Sequence, residues 1–125
     1  AGVALRDARA GLAAIAPELD QRADGLVDLA TRPRAARLPR PRLLGAFEPV
    51  LLGWGSRADV LGEHESRVVT GGIFRGFAMV RGHAVGGWRL ADGRVQVEPF
   101  EALAQSDMEA LERDADAVLE FLGLV

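Results

Sequence analysis

Hydrophobic and polar positions along the chain follow two different rhythms. From Ala4 to Ala16, Leu5, Ala8, Leu12 and Ile15 recur at steps of three and four, which predicts a helix with Arg6, Asp7 and Arg9 off its apolar face. Pro17 marks its end, because a proline disfavours helical geometry in the residue before it. In the next stretch, ELDQRADGLVDLA, Asp24-Gly25 separates two short strand-like runs and predicts a hairpin. A helix followed by a hairpin is the order of a recognition helix and its wing, the back half of a winged helix.

The period of two returns further on. Alternation predicts strands near Ile73–Val80, Ala84–Leu90 and Arg94–Phe100, joined by turns at Arg81-Gly82 and Asp92-Gly93 into an antiparallel meander. In the last strand Val95, Val97 and Pro99 share one side, and Gln96, Glu98 and Phe100 share the other. Before the meander, LLGAFEPVLLGW reads as a short strand, a turn and a buried segment, and SRADVLGEHESRVV as a short helix or two turns. After it, Ser106 and Glu109 have the spacing of a capping box, which predicts a helix from Ser106 to Leu122. Met108, Leu111, Ala115, Val118 and Leu122, widened by Leu119, form its core stripe, and Gly123 is placed to end it in a left-handed cap.

Between the two patterned regions lies TRPRAARLPRPR, with three prolines and five arginines in Thr31–Arg42. Neither a helix nor a central strand tolerates that density of proline. The expected organisation is therefore α+β in three parts. Residues 1–31 form a helix plus hairpin, 32–42 a Pro/Arg-rich linker, and 43–125 a small antiparallel, barrel-like meander covered by the C-terminal helix. The linker reads either as a semi-stiff spacer or as an arm laid along a phosphate backbone, where each neutralised phosphate releases a counterion.

Charge sharpens this division. The formal net charge is −3, yet Glu101–Val125 holds seven acids against one arginine and Arg22–Arg94 twelve arginines against seven acids, a net of +5. Lysine is absent, so every basic residue is arginine; its planar fork suits phosphates and guanine edges. The 125 residues have room for one ordinary domain, or a small one plus part of another. The absence of cysteine excludes a disulfide framework or a thiolate metal site. No apolar run is long enough to span a bilayer and no secretory signal opens the chain, which makes a cytoplasmic setting the default.

The chain offers little catalytic material. His64 and His83 lack any paired ligand spacing, Ser56 and Ser66 lie in no nucleophile elbow, and the glycines near Thr70 and Gly86 have no phosphate-loop context. No catalytic residue, metal or cofactor is expected. Trp88 reads as core, whereas Trp54, flanked by Gly53 and Gly55, would offer its face to an unpaired base if exposed.

Several segments of the second half also resemble the C-terminal region of the tandem winged-helix DNA-binding family, which includes bacterial DNA glycosylases for interstrand crosslinks and bulky alkylated bases. The matching residues are Leu43, Leu44, Phe47, Leu51, Leu52, Arg57, Gly72, Ile73, Arg75, Val85, Gly86, Trp88 and Arg89, in the family's order. Gly45 stands where the family often has proline, and Glu48 where it often has aspartate. The glycosylase members carry a Gln-x-Gln or Gln-x-Asp catalytic motif in their N-terminal winged helix, and nothing here aligns with that region. Gln96-Val97-Glu98 echoes the spacing from within a late strand and is not that motif.

The resemblance implies the C-terminal part of a winged-helix protein, with this stretch an inactive accessory β domain that helps to bind DNA weakly and largely without sequence preference. Candidate contacts are Arg6 and Arg9 on the first helix, Arg32, Arg34, Arg37, Arg40 and Arg42 in the linker, and Trp54, Arg57 and Arg75 beyond it. Two alternatives stay open. One is part of a DNA glycosylase whose catalytic motif lies upstream. The other is a protein–protein module, for instance a homodimer interface, without DNA contact.

Overall fold

The computed structural model describes residues 2–31 and 37–125. Arg32 and Arg34, two of the linker arginines, therefore lie outside the described residues. The chain divides into two compact units, residues 1–37 and residues 38–125.

In the first unit, helix α1 spans Leu5–Ala14, and a single 3-10 turn at Ala16–Glu18 carries Pro17 in its first positions. Strands β1 (Leu19–Gln21) and β2 (Val27–Leu29) then pair antiparallel. Their turn is built by Asp24-Gly25. Gly25 adopts φ +81°, a region that glycine enters without a Cβ penalty, while Asp24 Oδ1 accepts the Leu26 N–H at 3.1 Å. Among the described residues of this unit no side chain is buried.

The second unit is built around a four-stranded antiparallel sheet in the order β3-β6-β7-β8: Arg42–Leu44, Phe77–Val80, His83–Ala91 and Arg94–Pro99. The predicted meander is its last three strands. Both of their turns carry two consecutive positive φ values, +51° and +88° at Arg81-Gly82 and +52° and +69° at Asp92-Gly93. That backbone matches the twist of the flanking strands. The sheet stays open, so the barrel-like expectation is corrected to an open sheet with edges at β3 and β8.

Alternation along the strands supplies two cores, one per face. On one face Leu43, Ala78 and Val80 pack with Leu111 and Ala115 of helix α5 (Gln105–Phe121), joined by half-buried Val95 and Val97. On the other, Phe77 and Ala84 pack with Leu51, Leu61, Val68 and Phe74. These come from three one-turn helices, α2 (Pro49–Leu52), α3 (Ala58–Leu61) and α4 (Glu65–Val68), and from a short ribbon of β4 (Val69–Thr70) and β5 (Ile73–Phe74). The sheet is covered on both sides, where the sequence led us to expect one helix on one side.

Three local expectations are corrected. The run Ile73–Val80 is not one strand; it breaks at Arg75-Gly76, where the Trp88 indole crosses the backbone. A Cβ on Gly76 would stand 2.8 Å from Trp88 Nε1 and 3.2 Å from the Leu44 carbonyl oxygen. Ser106 is not a cap. The Ala104 carbonyl accepts the first two helical N–H bonds of α5, from Asp107 and Met108, which starts the helix one residue earlier, and Glu109 Oε1 accepts from Gln105 Nε2 at 2.9 Å instead. Leu122 is the residue that caps α5 and is 48% exposed, so it leaves the core stripe, while Gly123 at φ +67° closes the helix as expected.

Burial on α5 includes one charge, Asp114. Its carboxylate accepts the Leu43 backbone N–H at 2.7 Å and the Arg42 guanidinium, so it pins the start of β3 to the helix. Buried carboxylates persist where such partners satisfy their oxygens.

Candidate nucleic-acid interface

The break at Gly76 opens a cleft of about 360 Å³ at one end of the sheet. Arg67 of α4, Arg75 after β5 and Arg89 of β7 all line it. Its floor is backbone at Gly76 and Gly87 together with the Trp88 indole, whose N–H is donated to the Leu44 carbonyl at 2.7 Å. The indole is thereby fixed in the lining of the cleft.

Each arginine is held without being consumed. Arg67 lies over the Phe100 ring, 5.2 Å from its centroid, with one N–H reaching the Phe100 carbonyl at 3.5 Å. Arg75 donates one N–H to Thr70 Oγ1 at 3.1 Å. Arg89 stands 3.5 Å from Glu98, a pair in which both side chains are mostly exposed and therefore weakly bound. Three guanidinium groups against the single carboxylate Glu98 give the cleft a net positive charge with free donors. Such a surface attracts phosphate oxygens and holds them by charge-assisted hydrogen bonds. It contains neither histidine nor hydroxyl for nucleophilic or acid–base work.

The other candidates scatter. Arg6 and Arg9 are exposed on α1, Arg6 beside Asp7 at 3.0 Å. Arg37 and Arg40 are exposed outside regular structure. Arg42 is the first residue of β3 and is engaged by Asp114. Arg57 is the most tightly held: its Nε donates to the Leu51 carbonyl at 2.9 Å, its Nη1 faces Glu65 at 3.4 Å, and its guanidinium covers the Phe74 ring at 5.0 Å. That geometry ties α2, α4 and β5 together and gives Arg57 a structural task. Among the described residues of the predicted set, only Arg75 enters the cleft. Arg67 and Arg89 were missed, although Arg89 lies in the Val-Gly-x-Trp-Arg stretch and could have been found there; Arg67 carried no signal.

Trp54 is 67% exposed. It borders a second, smaller cavity of about 220 Å³ whose apolar wall is Val50 and Val60 and whose polar rim is Ser56, Arg57 and Asp59. The histidines also acquire neighbours. Glu63, His64 and Glu101 bring ligand atoms within 4.8 Å of one another, with the His64 ring tilted against Phe100 at 4.7 Å between centroids. Three such atoms could hold a cation, short of the four that close a structural zinc site. No helix among the described residues is long and apolar enough to cross a membrane.

Comparison with known proteins adds a family. Residues 1–121 match the family described as DNA glycosylase AlkZ-like. An interstrand DNA cross-link repair glycosylase of Streptomyces sahachiroi is 33% identical over 86 residues, which is 66% of this chain and 23% of that protein. The solved structure of the Streptomyces sahachiroi DNA glycosylase AlkZ superposes with a TM-score of 0.71 at 24% identity, over 93% of this chain and 34% of that one. At that identity the superposition establishes the shared fold. The chain spans about a third or less of the length of these relatives.

Proposed function

The chain belongs to the AlkZ-like DNA glycosylase family, and we propose that it forms the DNA-holding part of such a glycosylase, acting on crosslinked or alkylated bases through a catalytic motif in another part of the protein. The observation that carries this reading is the cleft of Arg67, Arg75 and Arg89. Its arginines come from three separated points of the chain and converge on one concave, net-positive surface with donors to spare. Contacts of this kind go to phosphates, which set register and affinity but not sequence. In the first unit, α1 and the β1–β2 hairpin follow the order of a recognition helix and wing, which supports a winged-helix role for that half; Arg6 and Arg9 would then face the groove.

A salt titration of duplex binding tests the proposal. Affinity of the whole chain should fall with salt, the logarithm dropping by nearly one per phosphate neutralised for each decade of salt. Replacing Arg67, Arg75 and Arg89 together with alanine should weaken binding at low salt and flatten that slope. The linker hypothesis makes a separate demand: a variant at Arg37 and Arg40 should flatten the slope instead. An unchanged slope in the cleft variant removes the cleft from the interface. If the unaltered chain binds no DNA at low salt, the protein–protein reading replaces this one.

A further inference from the structure

We infer that the cavity beside Trp54 is a stacking site for one unpaired base of the DNA, an inference that rests on the DNA-holding role proposed above. The residue sits between Gly53 and Gly55, just after the one-turn helix α2, with two-thirds of its surface in solvent. A large indole left open is normally a cost to a soluble protein, and here it has no partner that burial in a core would supply. The cavity it borders has the composition of a recognition pocket: apolar walls from Val50 and Val60, and a few polar groups at the edge.

Size narrows the occupant. About 220 Å³ lies below the 300–1,000 Å³ usual for pockets that enclose drug-sized ligands and leaves room for one planar ring system. The rim chemistry narrows it again. The Asp59 carboxylate is an acceptor for an exocyclic amino group, the pairing by which carboxylates read cytosine. Arg57 is locked by Leu51, Glu65 and Phe74, so its remaining guanidinium edge is a donor already fixed in place. Ser56 Oγ accepts the Ala58 N–H at 3.3 Å, which leaves its own hydroxyl proton to donate. A stacking face, an acceptor and two donors describe the needs of a nucleobase with an amino group. Within an intact duplex both faces of a base are covered by its stacked neighbours, so a base lying on the Trp54 indole must be unpaired and out of the stack. DNA carrying a bulky or crosslinked lesion supplies such bases more readily than intact duplex, because damage weakens pairing and stacking.

Two strands of equal charge provide the test: a short oligo-dC and the same phosphodiester backbone with its bases removed. The chain has only two tryptophans, and Trp88 is hydrogen-bonded to Leu44. Oligo-dC should quench tryptophan emission and bind roughly 5- to 150-fold more tightly than the abasic strand, the range expected for one base stacked on an aromatic ring. Trp54→Ala should abolish both the quench and the preference while leaving abasic-strand affinity unchanged, and Trp54→Phe should retain part of the preference. The exposure of Trp54 means that neither variant should shift the unfolding midpoint, which guards against a folding artefact. Equal affinity for the two strands, or an equal weakening of both by Trp54→Ala, overturns the inference while duplex binding through the arginine cleft still stands. Failure of the unaltered chain to bind any of the strands or a duplex overturns both readings together.

Discussion

Helices α1 and α5 are equally amphipathic in sequence, yet they meet opposite fates. Helix α5 buries Leu111, Asp114 and Ala115 against the sheet, whereas α1 buries nothing and leaves Leu5 64% and Leu12 44% exposed. The same contrast separates the units that hold them. Residues 2–31 satisfy their backbone locally, through one helix, one 3-10 turn and a ribbon of three-residue strands, without a buried side chain. Residues 38–125 enclose Leu51, Leu61, Val68, Phe77 and Leu111 almost completely. Periodicity reports that a face exists; what covers the face is a separate, tertiary fact. The cleft of Arg67, Arg75 and Arg89 follows the same division, because holding three like charges together needs rigid elements.

The contrast breaks first, if it breaks at all, in the two cores. Phe77→Ala should destabilise the second unit by about 3–5 kcal/mol and Leu111→Ala by about 2–5 kcal/mol, since each loses a fully buried side chain and leaves a cavity. Because the two residues lie on opposite faces of one sheet, each should lower the denaturant midpoint of a single transition. A small, separate transition for Leu111→Ala would show that α5 unfolds independently of the sheet.

A smaller effect tests the pin between helix and strand. Asp114→Ala strips the Leu43 N–H of its acceptor in a buried place, an unsatisfied group that costs about 1–3 kcal/mol. The Arg42 side of the contact is half exposed and adds little. Asp114→Asn keeps an acceptor for Leu43 and should recover most of the loss. Should the two variants melt alike, the charge on Asp114, and not the hydrogen bond to Leu43, is what matters at that position.

These sites also divide what is legible in the sequence from what is not. Both meander turns, the Asp24-Gly25 turn and the Leu111 face are legible because each depends on residues within a few positions: a glycine that tolerates positive φ, or a helical repeat. Asp114 reads as one more acid on a solvated helix face, since its partners lie 71 and 72 residues away. The break of the β5–β6 run is hidden for the same reason; Arg75-Gly76 looks like strand until Trp88 and Leu44 are placed beside it. The capping box fails on a local ambiguity, because Gln105 is as able to be helical as Ser106. The candidate cleft was legible at Arg75 and, through the Val-Gly-x-Trp-Arg stretch, at Arg89, but not at Arg67. Convergence of Arg67, Arg75 and Arg89 comes from the packing of α4 and the β5–β6 break against β7, which no spacing along the chain records.

Near-silence is the expectation for the uncovered helix. Leu12→Ala removes a side chain already 44% exposed and substitutes a residue of equal or better helix propensity, so the change in stability should stay within about 0.5 kcal/mol. The measurement is the midpoint of α1 unfolding by circular dichroism or hydrogen exchange, set beside Leu111→Ala in α5. A loss of more than about 2 kcal/mol would mean that the α1 face is covered in solution, and the contrast between the helices would collapse.

The smallest effect lies in the hairpin of the first unit and concerns pH. The Leu26 N–H, donated to the Asp24 carboxylate, holds that carboxyl below its ordinary value, and the charge and hydrogen bond of Arg22 act in the same direction. A carboxyl lowered in the folded state contributes stability above the unfolded value of about 3.9, and that contribution disappears as pH falls through the folded one. The turn should therefore be unaffected near neutrality and loosen only under acid, after free carboxyls have begun to protonate. Asp24→Asn still accepts from Leu26 through its amide oxygen, so it should preserve the turn and erase its acid sensitivity. The readout is the Leu26 amide resonance followed against pH in both proteins. A midpoint at or above the free carboxyl value in the unaltered chain would show that the hydrogen bond does not persist in solution, and that this hairpin, with no core beneath it, is not held by its own turn.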